Sequence, residues 1–204
     1  MAEPKVMDDN KIVFTGIVIW KEESQSTTAI TMRVTTRPEG RTRRYTNYPR
    51  MFVFDQETRE KMSQIATGSR VVVEGYVTST KAQRDENGNV IPSNRPLQSF
   101  VATDVRIATA EDEEENAVEI VGAVERAYVT RSGVVNFIVV SFRDGHYLKR
   151  IKISAFPRND VNYMEFMPQG TRVRIKSHCS TVMDDTQRGR VTREFLIADS
   201  IEKV

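Results

Sequence analysis

Cysteine is all but absent from this sequence: Cys179 is the only one in 204 residues. A single thiol closes no internal disulfide and cannot supply the ligand set of a structural zinc site, and neither His146 nor His178 has partners at metal spacing. We expect neither metal nor cofactor. The N-terminal MAEPKVMDDNK lacks the basic-then-apolar order of a signal peptide, and no apolar run approaches the roughly 20 residues that span a bilayer. These absences predict a soluble, cytoplasmic protein of a reducing compartment, with no membrane partner. Catalytic signatures are missing as well. There is no nucleophile elbow, phosphate-cradling glycine loop or paired His and acid at recognisable spacing, so no catalytic residues and no enzyme activity are expected.

Net charge is also small, at +2, but it sums unlike segments. Residues 1–108 hold 16 Lys/Arg against 13 Asp/Glu, residues 109–119 hold none against 6, and residues 120–204 hold 14 against 9. Two mildly basic modules therefore flank the acidic TAEDEEENAVE, whose like charges repel and predict a solvated linker. The expected organisation is a first domain over 1–108, a linker over 109–119 and a second domain over 120–204.

What the sequence has in quantity is period-2 alternation. In AITMRVTT, Ile30, Met32 and Val34 fall on one face of a strand and Arg33 on the other. Only DQETREKMSQIATG and RNDVNYMEFMPQG read as short helices, each closed by a glycine; Met164, Phe166 and Met167 are expected to plug a barrel from the second. Each helix precedes a matching strand, GSRVVVEGYV or GTRVRIKSHC, which exposes an internal repeat. Gly16 corresponds to Gly122, and FVATDVRI and FLIADSIEKV both place an aspartate four residues after the phenylalanine, Asp104 and Asp199. Each half reads as three strands, one short helix and two more strands. The fold class is all-β: two tandem five-stranded OB-fold barrels, each with one short helix between strands 3 and 4. Phe14, Phe52, Phe100, Phe137 and Phe195 lie in apolar strands and are expected in the cores.

Residues 9–108 resemble the bacterial and phage single-stranded DNA-binding (SSB) protein family. DNKIVFTGIVIWKEE is similar to that family's opening strand, with its Asn-Lys, apolar run and glycine, and AITMRVTT resembles its second. YPRMFVF resembles the third-strand pattern of aromatic, any residue, arginine, three apolar residues and phenylalanine. GSRVVVEGYVTSTK is the most specific match, combining Gly-Ser, an apolar strand, Glu-Gly and a basic hairpin arm. The second half shares Gly122, GTRV, and KISAFP with Phe156. The resemblance implies a tandem-barrel member, in which a homodimer supplies the four barrels that others assemble from four chains. It implies a stacking aromatic at Tyr48, with Arg50 and Phe54 following it. Two features depart from the family. The hairpin arm has Lys81-Ala82 where a tryptophan is usual, and the sequence stops at ADSIEKV without the acidic tip through which that family recruits replication proteins.

Single-stranded nucleic acid offers regularly spaced phosphates and exposed base faces, so its groove needs cations and flat rings together. RTRRYTNYPRMFVF supplies both: Arg41, Arg43, Arg44 and Arg50 to neutralise phosphates, Tyr45 and Tyr48 to stack bases. Arg33 and Phe54 join them, and Trp20 is read either as a base platform or as cover for the core. The arm around the Asn87-Gly88 turn adds Lys81 and Arg84, and the shorter hairpin MDDTQRGRVTR adds Arg188 and Arg190. In the second half, HYLKRIKISAF offers Tyr147, Lys149, Arg150, Lys152 and Phe156, with Tyr128 as another ring; Lys149 and Lys152 cannot share one strand face. The expected function is non-catalytic, sequence-independent binding of single-stranded DNA in replication, recombination or repair, in a bacterial cell, phage or mobile element. The alternatives are a protein-interaction or structural module and an RNA-binding protein.

Overall fold

The computed structural model describes residues 9–36, 44–79, 98–143, 147–186 and 189–204. The first half contains β1 (Asp9–Glu23), β2 (Thr28–Thr36), β3 (Tyr45–Asn47), β4 (Arg50–Val53), α1 (Gln56–Ser63), β5 (Arg70–Ser79) and β6 (Gln98–Ile107). The second contains β7 (Asn116–Val129), β8 (Val135–Arg143), β9 (Tyr147–Ala155), a 3-10 turn (Tyr163–Phe166), β10 (Arg172–Thr186) and β11 (Gly189–Lys203). Pairing closes a ring in each half. In the first the order is β1–β2–β4–β6–β5 and back to β1, with β4–β6 the parallel contact. In the second it is β7–β8–β9–β11–β10 and back to β7, with β9–β11 parallel. This is the all-β, tandem OB architecture expected from the repeat. The third strand of the first ring is split into β3 and β4 because Pro49 has no N–H to donate. Its carbonyl still accepts from the Met32 N–H, at 3.0 Å.

Alternation delivers the cores as expected. Ile30, Met32 and Val34 are fully buried in the first, Phe137, Ile151 and Ile153 in the second. Each such side chain contributes about 1.5–3 kcal/mol of burial. Phe14 and Phe100 meet edge-to-face at 5.3 Å. The repeat recurs in the irregularities as well. Gly16 and Gly122 sit where the first strand of each ring curls across the next: a Cβ would lie 2.4 Å from the Arg33 carbonyl oxygen in one and 2.2 Å from that of Val140 in the other. Bulges follow both glycines at matching places, Val18/Trp20 and Val124/Arg126, and interrupt the fourth strands at Glu74/Gly75 and Lys176/Ser177. Gly68 and Gly170, both at positive φ, donate to the Val18 and Val124 carbonyls at 2.7 and 2.8 Å.

Several expectations are corrected. The second helix is a single 3-10 turn, because Asn159, Asp160 and Asn162 compete for backbone hydrogen bonds before it and Pro168 blocks extension after it. With three residues per turn, Tyr163 and Phe166 share the inner face and Met164 is turned out, 65% exposed; Tyr163, packed on Phe137, is the plug. Phe195 is exposed because strand pairing sets Leu196, not Phe195, at the place of Phe100: Val77 faces Phe100 as Cys179 faces Leu196. The same one-residue offset separates Asp104, paired with Lys61 of α1, from Asp199, paired with His178 of β10. The acidic segment is not a free spacer. Its residues from Asn116 onward already belong to β7, and Asp112 accepts from the two terminal nitrogens of the Arg106 guanidinium at 2.6 and 2.7 Å and from the Thr109 N–H. The Arg106 guanidinium, aided by that N–H, holds the Asp112 carboxyl well below the usual carboxylate range.

The rings are joined by a shared sheet and by two reciprocal clasps. Residues 9–14 of β1 pair antiparallel with 116–121 of β7. At the base of the β5–β6 hairpin, Ser79 Oγ accepts from the Arg150 N–H (3.1 Å) and Gln98 Oε1 from the Lys152 N–H (2.9 Å), both on β9. At the base of the β10–β11 hairpin, Thr181 Oγ1 accepts from the Tyr48 N–H (2.9 Å) and Glu194 Oε1 from the Arg50 N–H. Each hairpin thus grips alternate backbone donors on the third strand of the other ring.

Candidate nucleic-acid interface

On the first ring, the residues that alternate with the buried ones of β1, β2 and β4 form an outer face. Across it, Trp20 lies opposite Thr31 and Thr31 opposite Arg50; one row on, Glu22 lies opposite Ala29 and Ala29 opposite Phe52. Tyr48, Arg50, Phe52 and Phe54 follow one another at period 2 while Met51 and Val53 point inward. The Arg50 guanidinium lies over the Trp20 ring at 4.9 Å and over Phe52 at 5.4 Å. Phe52 and Phe54 are near-parallel, 6.3 Å apart and 19° from coplanar. Trp20 is 39% and Phe54 55% exposed, so Trp20 is not cover for the core. A flat guanidinium between rings presents both a cation for a phosphate and planar surface for a base.

Trp20, Arg33, Tyr48, Arg50 and Phe54 are thereby brought to one face. Tyr48 is half-buried, with its N–H held by Thr181. Arg50 also lies 3.7 Å from Glu22, an exposed contact that a phosphate can displace. Tyr45 is exposed on β3, and Arg44 pairs with Glu114 of the acidic segment at 3.2 Å. Sequence reasoning had placed Phe52 in the core. Its alternation with Met51 and Val53 carried the signal that it faces outward.

On the second ring, Lys152 and Phe156 are exposed, while Lys149 has the parity of the buried Ile151 and Ile153. Arg150 is engaged by Glu125, its Nε lying 2.8 and 2.9 Å from the two carboxylate oxygens. Tyr128 carries the Arg126 guanidinium at 5.4 Å. Arg126 was not singled out from the sequence, although it stands four residues after Gly122 as Trp20 stands four after Gly16. Arg41, Arg43, Lys81, Arg84 and Arg188 lie outside the described residues, as do the side chains of Tyr147 and Arg190. Among the described residues no group of His, Cys, Asp and Glu is arranged to hold a metal ion, and no helix is long and apolar enough to cross a membrane.

The whole chain, not one barrel of it, has counterparts among solved structures. The wild-type single-stranded DNA binding protein from Thermus aquaticus aligns over 98% of this chain and 94% of its own, with a TM-score of 0.69 at 12% identity. This is the fold of the single-stranded DNA binding proteins. A deletion variant of the Thermus aquaticus protein gives the same TM-score, at 13% identity, over 97% of this chain and 95% of its own. At such low identity the likeness lies in the path of the backbone, and the side chains of the outer faces have to be judged on their own chemistry. No protein-family model and no curated protein sequence matches the chain.

Proposed function

We propose that the chain binds single-stranded DNA without sequence preference and without catalysis, in the cytoplasm, in the service of replication, recombination or repair. The two rings act as its binding domains, and the acidic stretch before β7 connects them. The observation that carries this reading is the outer face of the first ring, where Trp20, Phe52 and Phe54 offer ring surface around the Arg50 guanidinium. Rings stack on any base, and a guanidinium takes any phosphate, so the combination fits an unpaired strand of arbitrary sequence. A duplex hides its base faces and leaves the rings without partners. Arg33 and Tyr48 extend this face, Tyr128, Lys152 and Phe156 serve on the second ring, and Arg41, Arg43, Lys81, Arg84, Arg188 and Arg190 are proposed as further phosphate contacts.

The test is a titration of the intact chain with oligo-dT, a hairpin duplex and oligo-rU at several salt concentrations. Tight dT binding that weakens as salt rises, with the duplex far poorer, is expected. Equal affinity for the duplex, or none for dT, rejects the reading, and preference for rU redirects it to RNA.

A further inference from the structure

The two outer faces correspond position by position but are filled differently. In the first ring one row reads Trp20, Thr31, Arg50; the equivalent row of the second reads Arg126, Ile138, Lys152. The next row reads Glu22, Ala29, Phe52 in the first ring and Tyr128, Asn136, Ser154 in the second. Tyr48 is matched by Arg150, which Glu125 already engages. The first face thus combines a cation and a carboxylate, Arg50 and Glu22, with the rings of Trp20, Phe52 and Phe54. The second keeps the Phe156 ring at the place of Phe54 and Tyr128 under Arg126, but it sets two cations, Arg126 and Lys152, where the first has Trp20 and Arg50, and replaces the Phe52 ring by the hydroxyl of Ser154. That hydroxyl is bound to Asn136 at 2.7 Å.

We infer that the two rings divide the strand chemically: the first holds nucleobases by stacking on Trp20, Phe52 and Phe54, and the second holds the sugar–phosphate chain through Arg126 and Lys152. The inference rests on the single-stranded DNA reading above. Stacking and phosphate neutralisation respond differently to salt. Each phosphate neutralised on a single strand releases counterions and contributes about 0.7 to the slope of log K against log salt, whereas a stacked base contributes to affinity without adding to that slope. In these two rows the first face sets one cation, Arg50, beside Glu22 where the second sets two, so its share of binding falls less as salt rises. The share of the second face declines more.

Trp20 is the only tryptophan in the chain, so its fluorescence reports occupancy of the first face alone. An oligo-dT of about 30 nucleotides, long enough to engage both barrels at up to about 16 nucleotides each, is titrated into the intact protein by Trp20 quenching and by oligonucleotide anisotropy over a range of salt. Phe54→Ser, at an exposed site that leaves the fold intact, is expected to lower affinity about fivefold to a hundredfold at every salt concentration with the slope unchanged. Phe52→Ser, which installs the residue of the second ring, gives the same pattern. Arg126→Ala with Lys152→Ala is expected to lower the slope by about 0.7 per cation while Trp20 quenching at saturation stays as in the parent. A reduced slope in the Phe54 variant, or an unchanged slope in the Arg126/Lys152 variant, overturns the division even though the parent binds. Failure of the parent to bind oligo-dT overturns the functional reading itself, and the division with it.

Discussion

Arg50 concentrates three interactions in one residue. Its backbone N–H is taken by Glu194 of the other ring, its guanidinium covers the Trp20 and Phe52 rings, and Glu22 lies at its edge. The clasp takes only the main-chain N–H of Arg50, and a substitution that keeps the charge also keeps the side chain's electrostatic effect on the Glu194 carboxyl. Arg50→Lys keeps the charge but loses the flat surface that lies on Trp20, so it tests planarity separately from charge. We expect it to shift the Trp20 emission and to weaken oligo-dT binding several-fold, in line with about 0.5–2 kcal/mol for a cation on a ring. Unfolding free energy should change by less than about 1 kcal/mol, since the site is at the surface. An unaltered Trp20 spectrum, read by fluorescence, would separate the guanidinium from the ring and remove it from the platform.

At the scale of elements, the hairpin clasps are equivalent in geometry but not in chemistry. Gln98 accepts from the Lys152 N–H as a neutral amide, while Glu194 accepts from the Arg50 N–H as an acid. Burial pushes the Glu194 carboxyl up to about 7, against the opposing effects of the Arg50 N–H and guanidinium. A carboxyl whose proton is held more tightly in the folded state stabilises fully below its unfolded value of about 4.5, and that contribution is lost as pH rises to about 7. Urea unfolding should therefore show stability declining across this window by at most about 3 kcal/mol. In Glu194→Gln, which copies the neutral clasp, the decline should vanish; its persistence would assign the titration to another group. Asp112 works in the opposite sense and in a lower range, because its depressed carboxyl stabilises above the unfolded value and loses that effect only as pH falls further.

On the scale of the molecule, β1 ties the rings together: it closes the first and pairs with β7 of the second. Asn10, buried at this seam, accepts from the Val77 N–H at 2.9 Å and donates to the Val77 carbonyl at 2.7 Å. A shared sheet and reciprocal clasps leave neither ring an independent boundary, so calorimetry should record one cooperative transition. Asn10→Ala leaves the two Val77 groups unpaired and should destabilise by about 1–3 kcal/mol, moving that single transition as a whole. Two resolved transitions, or a shift confined to part of the heat absorption, would mean that the rings unfold separately.

Much of this was legible in the sequence because it depends on neighbours along the chain. Alternation placed Ile30, Met32 and Val34 inside, Gly68 and Gly170 marked where the helical segments end, and Gly16 and Gly122 marked the repeat. Local order was enough to give two OB rings. Whether Phe195 faces core or solvent turned on a register offset of one residue, which strand pairing decides and composition does not. The clasps join Tyr48 to Thr181 and Lys152 to Gln98, contacts between residues far apart in the chain that carry no local periodicity. Arg50 and Phe52 are two apart on one strand, but tertiary structure alone set the Arg50 guanidinium over Trp20, because β2 pairs with both β1 and β4 and aligns two residues 30 apart in the chain that have no reason, in one dimension, to meet.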